Sequence, residues 1–329
     1  MSKLKKITVL GGGTGTFVVL TGLKKYPIDL GVIVSMMDSG GSTGKLRDQL
    51  GVLPPGDLRQ CLVALSEAPL LWRQLFLYRF STGDMAGHNF GNIFLSALEK
   101  VCQDYNQVVD TASFVLKTKG KVIPVTFDKT HLCVKYQDGK VIKGEGKIDE
   151  NNDETSTIIK AYLEPAVKSN IKAIKRITES DFLVIGPGDL YTSIIPILLV
   201  GGIKKTIQTS RAKIIYVLNL MTKFGQTTNY QASHHLKDLE KYLGRSIDYV
   251  LVNNGQIAAD ILKWYLSHKE KPVINDLKQN DLKTKIIEGN LISNQRIVKN
   301  PVDRLTRSIL RHDPKKLAQI LWQIINKKI

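Results

Sequence analysis

The chain has 329 residues, 43% of them hydrophobic and 23% charged, and carries a formal net charge of +17 from 47 Lys and Arg against 30 Asp and Glu. That make-up fits a globular protein with one large domain or a core plus a lobe. No apolar stretch approaches the roughly 20 residues a membrane helix needs, and the run of four apolar residues behind MSKLKK is too short for a secretory signal.

Taken in chain order, residues 7–10 (ITVL) are apolar and β-branched and predict a buried strand. Residues 16–25 place Phe17, Leu20 and Leu23 at helical spacing until Pro27 stops the run. Between them lie Gly11, Gly12, Gly13, Thr14 and Gly15. Such a turn lets a ligand approach the backbone, and the helix behind it offers unpaired N–H groups and the positive end of its dipole, so it predicts a phosphate site. The dinucleotide pattern is incomplete, because Val18 stands where the third glycine belongs, and no Lys-Ser or Lys-Thr closes a Walker loop. A second strand is predicted at 31–36, followed by DSGGSTG. Asp38 there could bind a ribose hydroxyl, hold Mg²⁺ on phosphates or cap a turn. Gly40, Gly41 and Ser42 could form a second anion nest.

Helices are predicted at 57–67 and 70–79. GHNFGN, with His88, Asn89 and Asn92, enters another helix that runs to Val101, and Asn89 is its expected cap. Residues 111–164 read as a small β-rich insert away from the chemistry, with a hairpin turn at Asp138-Gly139 and a polar loop over 149–156. The α/β rhythm then returns: a helix at 165–178, a strand with its loop over 182–193, strands at 213–222, 248–254 and near Ile286, and helices at 233–243, through Tyr265 and from Asp313. The loop after the first of these strands brings Gly186, Gly188, Tyr191 and Thr192. This alternation implies an α/β protein with a mostly parallel sheet, whose strand-end loops collect along one edge.

Cys61, Cys102 and Cys133 form no paired spacing and fit a reducing cytoplasm. Most of the positive charge reads as a solvated surface, with no recognition motif for a specific nucleic acid. Adjacent His234 and His235 do not make a zinc pattern, so no firm metal site is predicted.

Taken together, VLGGGTG, DSGGSTGKLR, PPGDLRQCLVALSE, GHNFGN, IGPGDLYTS and NLMTKFGQT resemble the 2-phospho-L-lactate transferase (CofD)-like superfamily, and more closely its YvcK-like gluconeogenesis-factor branch. The resemblance covers about residues 6–315. It implies a single doubly wound, Rossmann-like α/β domain, with 111–164 as an insert within it. The transferase branch moves a phospholactyl-type group from a guanosine diphosphate-linked donor, with Mg²⁺. The YvcK-like branch implies a cytoplasmic protein with no settled reaction, which binds UDP-sugars and supports gluconeogenic growth and cell shape. Its link to the cell wall suggests UDP-N-acetylglucosamine.

In motif order, Ser39 replaces a second acid of the family's D-D-G-G-S, Asp189 replaces a Ser and Gln226 a Glu. Asn219 and Thr222 match its N-V-M-T strand end. Tyr265 falls on an aromatic that could stack on a base or sugar, and Arg311 is a candidate diphosphate partner. The expected ligand is thus a nucleotide-sugar. An unidentified protein partner and a homo-oligomer are compatible with it. An Mg²⁺-dependent transferase and an NAD(P)-binding oxidoreductase are the alternatives.

Overall fold

A computed structural model describes residues 4–151, 156–294 and 308–328. The first βαβ unit runs β1 (Lys6–Leu10), α1 (Gly13–Leu23), β2 (Asp29–Val34). Four helices follow, α2 (Gly41–Leu50), α3 (Pro55–Leu65), α4 (Leu70–Leu77) and α5 (Phe90–Val101). Then come α6 (Tyr105–Val115) and β3 (Lys121–Pro124). A small unit contains β4 (His131–Tyr136), β5 (Val141–Lys143), α7 (Glu145–Asp149) and β6 (Ile158–Glu164). The second half runs α8 (Ile171–Glu179), β7 (Phe182–Ile185), a π-helical turn over Leu190–Ile194, α9 (Ile195–Leu199), α10 (Ile203–Thr209) and β8 (Lys213–Val217). It ends with α11 (Ala232–Leu243), β9 (Tyr249–Asn253), α12 (Ala259–Ser267), a 3-10 turn over Gln279–Asp281, β10 (Lys285–Gly289) and α13 (Pro314–Ile325).

The main sheet has seven strands in the order β10-β9-β8-β7-β1-β2-β3, all parallel. Its central strands are buried almost throughout (β7 entirely), as a parallel sheet covered on both faces requires. α1 packs on α3 and α13, while α8, α9, α10 and α11 pack on one another. Strand order reverses between β1 and β7, so a crevice opens at their carboxyl ends, where ligands of doubly wound folds bind. This is the α/β architecture the sequence predicts, with a separate antiparallel sheet β5-β4-β6.

The β-rich insert is narrower than 111–164. Residues up to Val115 finish α6, and β3 is the edge strand of the main sheet. α8 also starts later than 165, because Asn170 caps it by accepting from Lys172 N at 2.9 Å. α2, read as loop, is a helix that begins where Gly41 leaves the second glycine cluster. Of the polar loop 149–156, residues 152–155 lie outside the described residues.

Arg176 ties the two halves together below the sheet's amino edge. Its Nε donates to Thr8 Oγ1 at 2.8 Å and its Nη1 to Asp29 Oδ1 at 2.8 Å. Nη2 donates to the Ile7 and Asp29 carbonyls at 3.0 and 2.6 Å.

Candidate functional site

A cleft of about 490 Å³ opens at the β1/β7 switch point. That is the size of a small-molecule site. Gly12, Gly13, Thr14 and Gly15 form one wall. Gly13 adopts φ +65°, a left-handed conformation that disfavours any side chain, and it starts α1. The first turn of α1 carries no acidic residue of its own, and the Asp57 carboxylate of α3 stands against Gly12 and Gly13 at its start. A Cβ on Gly15 would collide with the Pro187 carbonyl, so α1 approaches the second glycine loop backbone to backbone. That loop, Gly186–Pro187–Gly188, is held from β8's end, where Asn219 Oδ1 accepts from Gly188 N at 3.1 Å.

The polar floor comes from α2, α3 and α5. Asn92 Nδ2 donates to Ser42 Oγ and Thr43 Oγ1 at 3.4 and 3.5 Å, and its Oδ1 accepts from buried Arg59 Nε at 2.7 Å. Asn89 caps α5 as expected, accepting from Asn92 N at 3.3 Å. Asp38 Oδ1 accepts from Gly40 N at 2.9 Å, which is the turn-capping role, while the same residue lines the cleft.

Of the residues singled out from sequence, Gly12, Gly13, Thr14, Gly15, Asp38, Gly40, Ser42 and Asn92 line this space. So do Gly188, Thr192, Asn219, Thr222, Tyr265 and Arg311. Gly11, Gly41, His88, Asn89, Gly186 and Tyr191 do not. Gly11 N donates to the Ile33 carbonyl, and His88 Nδ1 stands 3.3 Å from Ser42 Oγ, one layer back. Tyr191 points away from the cleft: its hydroxyl donates to Asp238 at 2.5 Å and meets Tyr230, anchoring the π-helical turn to α11. Tyr265 is buried, and its hydroxyl accepts from Leu310 N at 3.1 Å, so it holds the far wall together more than it offers an open ring face.

The insert is not remote from this site. α7 lies over the cleft and brings Glu145 and Asp149 into it. A reciprocal pair fastens it to the loop between β2 and α2: Ser39 N donates to Glu145 Oε2 at 3.2 Å, and Gly146 N donates to Ser39 Oγ at 2.9 Å. At its other end Gln226 Nε2 donates to Asp149 Oδ1 at 2.6 Å. The expectation that 111–164 stands away from the chemistry is therefore corrected, because docking of the small sheet, not strand pattern, places α7.

Residues 7–292 match the family model described as 2-phospho-L-lactate transferase CofD. A gluconeogenesis factor of Bacillus subtilis (strain 168) is 36% identical over 330 residues, covering 99% of this chain and 100% of the relative. The chain belongs to the gluconeogenesis factor family, within the CofD-like superfamily. A second relative, from Thermoanaerobacterium thermosulfurigenes, is 39% identical over 97% of each chain. A crystal structure of a UPF0052-family protein from Bacillus halodurans has a TM-score of 0.89 at 35% identity, covering 98% of this chain and 100% of that one.

The cleft also holds side chains that sequence reading passes over: Asp57, Arg59, Glu145, Asp149, Lys223 and Glu270. Arg59 gave a signal, as a charge beside the buried run Leu58, Cys61, Leu62 of α3. The others gave none. Burial, then the nearby charges of Asp38 and Asp149, push the Glu145 carboxyl well up, toward its neutral form. Burial and the like charge of Asp189 raise Asp149 to about 6. Burial alone would lower the Lys223 ammonium, but Asp189, Glu270 and Asp149 more than offset it, and Lys223 Nζ pairs with Glu270 at 3.4 Å.

A raised carboxyl means the folded state binds more protons than the unfolded one between about pH 4 and pH 6, so its contribution to stability falls as pH rises through that window. Asp149→Asn is expected to stabilise the protein at pH 7.5, by about 1 kcal/mol after discounting for solvent screening, and to make little difference at pH 4.5. Thermal unfolding of both proteins at both pH values checks this. An equal shift at the two pH values would contradict it.

Among the described residues, no three His, Cys, Asp or Glu side chains form a group that could hold a metal ion. No described helix is long and apolar enough to cross a membrane.

Proposed function

We propose that this member of the family is a cytoplasmic regulatory protein that binds a nucleotide-sugar, UDP-N-acetylglucosamine being the leading candidate. It would report the level of that metabolite to a protein partner that links gluconeogenic growth with cell-wall synthesis and cell shape. The observation that carries this reading is the pairing of two glycine loops across the switch point, with the start of α1 aimed between them. Backbone N–H groups there would hold a diphosphate without a dedicated cation. Arg59 and Arg311 both line the cleft and could serve as further anion partners, and Glu145, driven toward its neutral form, lessens the repulsion an anion would meet. The wall of Leu220, Met221, Tyr265 and Leu310 suits a base, and the carboxylates of α7 suit sugar hydroxyls.

A second reading, a transferase that uses a nucleotide diphosphate-linked donor, is favoured by one specific arrangement. Asp38 and Asp57 both line the cleft: a Cβ on Gly12 of the first glycine loop would strike Asp57, and one on Gly56 at the start of α3 would strike Asp38. Two carboxylates plus substrate phosphates are the usual way to hold Mg²⁺, so these residues fit that ion. When bound, it would neutralise charge on a diphosphate leaving group. Against this reading, Ser39 and Gln226 stand where the superfamily motifs carry acids. NAD(P) would need an acid on its ribose, which Asp38 could supply.

Calorimetric titration of the purified chain with UDP-N-acetylglucosamine, UDP-glucose, GDP, GTP and NADP, with and without Mg²⁺, separates these readings. Micromolar, chelator-tolerant UDP-sugar binding that is lost in Gly13→Val is expected. Guanine-nucleotide binding that requires Mg²⁺ would replace the regulatory reading with the transferase.

A further inference from the structure

The turn that leaves α12 carries an exposed aromatic side chain held in one orientation. His268 is the first residue past the helix, and its backbone N–H donates to the Tyr265 carbonyl at 2.9 Å. Its ring lies on the indole of Trp264, with centroids 4.0 Å apart and planes 29° from parallel. Its Nδ1 stands 2.8 Å from the Trp264 carbonyl. A carbonyl only accepts, so Nδ1 carries a proton and donates it to that bond. One neighbour on the same helix face therefore fixes both the plane and the rotation of the imidazole. Trp264 in turn meets Tyr265 edge-on and packs on the apolar cluster of Leu220, Met221 and Leu310. Exposed side chains ordinarily hop between rotamers. This one is braced, with one ring face covered by the indole and the residue still exposed.

Chain topology carries the braced ring to the cleft. After α12 the chain doubles back, and an antiparallel bridge pairs Pro272 with Met221. Thr222 N donates to the Lys271 carbonyl at 2.7 Å, and Val273 N to the Leu220 carbonyl at 3.0 Å. The turn after α12 is thereby tied to the loop at the carboxyl end of β8, a strand that lies one spacing, about 5 Å, from β7 at the switch point. His268 lines the same cleft as the glycine loops.

The other rings of the cleft are engaged. Tyr265 is buried and its hydroxyl accepts from Leu310 N. Phe224 has the Lys269 ammonium 5.0 Å from its ring centroid. His312 is buried. Among the described residues that line the cleft, His268 is the aromatic side chain both exposed and pre-positioned. A flat, ordered ring with an apolar backing is what a nucleobase stacks on.

We propose that His268, braced by Trp264, is the shelf on which the base of the bound nucleotide stacks. The proposal rests on the nucleotide-sugar reading of the cleft and adds to it where the base lies: on the α12 side, with the diphosphate at the glycine loops.

Calorimetric titration of the full chain with UDP and, separately, with inorganic pyrophosphate tests it. The wild-type chain is expected to bind UDP more tightly than pyrophosphate. His268→Ala is expected to weaken UDP binding roughly tenfold, with pyrophosphate affinity and the thermal unfolding midpoint unchanged. His268→Phe, which keeps a flat ring, is expected to restore most of the loss. Unchanged UDP affinity in His268→Ala would put the base elsewhere, and equal losses for UDP and pyrophosphate would mean that the side chain acts through the fold. Either result overturns the shelf, as does a His268→Phe variant no better than His268→Ala. A wild type that holds pyrophosphate as tightly as UDP overturns the shelf and leaves the diphosphate site standing. A wild type that binds neither overturns both.

Discussion

Arg176→Ala is expected to cost about 3–5 kcal/mol of folding stability and to leave nucleotide-sugar affinity in the folded fraction unchanged. The guanidinium side chain is 4% exposed and makes four hydrogen bonds, to Thr8, Asp29 and the carbonyls of Ile7 and Asp29. Truncation leaves the Asp29 carboxylate without its closest cationic partner and two buried carbonyls short of a donor, and it opens a cavity beside Gly31. Gly31 has no side chain because a Cβ would stand 2.8 Å from Arg176 Nε. The residue sits at the amino edge of β1 and β2, opposite the cleft, so stability and binding should separate. Urea denaturation gives the first quantity and calorimetry of the remaining folded protein the second. A loss below about 1 kcal/mol would mean that water replaces the network at little cost.

Gly15→Ala should act in the opposite place with the opposite balance. One methyl group added at Gly15 meets the carbonyl of Pro187, a backbone atom that cannot rotate away. Relief requires α1 and the Gly186–Gly188 loop to move apart. Overpacking of this kind costs about 1–3 kcal/mol. The effect on binding should be larger than the effect on stability, because the two loops that would hold the diphosphate would no longer face each other at the right separation. Loss of measurable UDP-N-acetylglucosamine binding by a protein that still unfolds cooperatively is the expected result. Retention of wild-type affinity would show that the ligand does not depend on this approach of the two loops.

Much of the fold was legible because its signals are local. β-branched runs of four to six residues, separated by helical periodicity, announce parallel strands wherever they occur. Glycines clustered between a strand and a helix announce a loop that must pass close to something. The α/β class, the chain order of the main strands and the glycine-loop half of the cleft follow from such signals, as do Asn89 as a cap and the helix from Asp313. Boundaries failed where a tertiary partner set them. β7 ends at Ile185, not among the residues up to 193, because the chain turns back through a π-helical turn that Tyr191 pins to Asp238.

By itself the sequence determined that loops rich in glycine would gather at one edge of a parallel sheet, since chain direction and strand polarity leave them nowhere else to go. Only the tertiary structure decided what faces those loops. Glu145 and Asp149 sit in a stretch that reads as β, on a five-residue helix whose position depends on how a separate three-stranded sheet docks. Lys223 and Glu270 are 47 residues apart and meet across the cleft mouth. Local patterning encodes which backbone a segment adopts. The distance between two side chains from different segments depends on how those segments pack, and that packing sets the charge of this cleft.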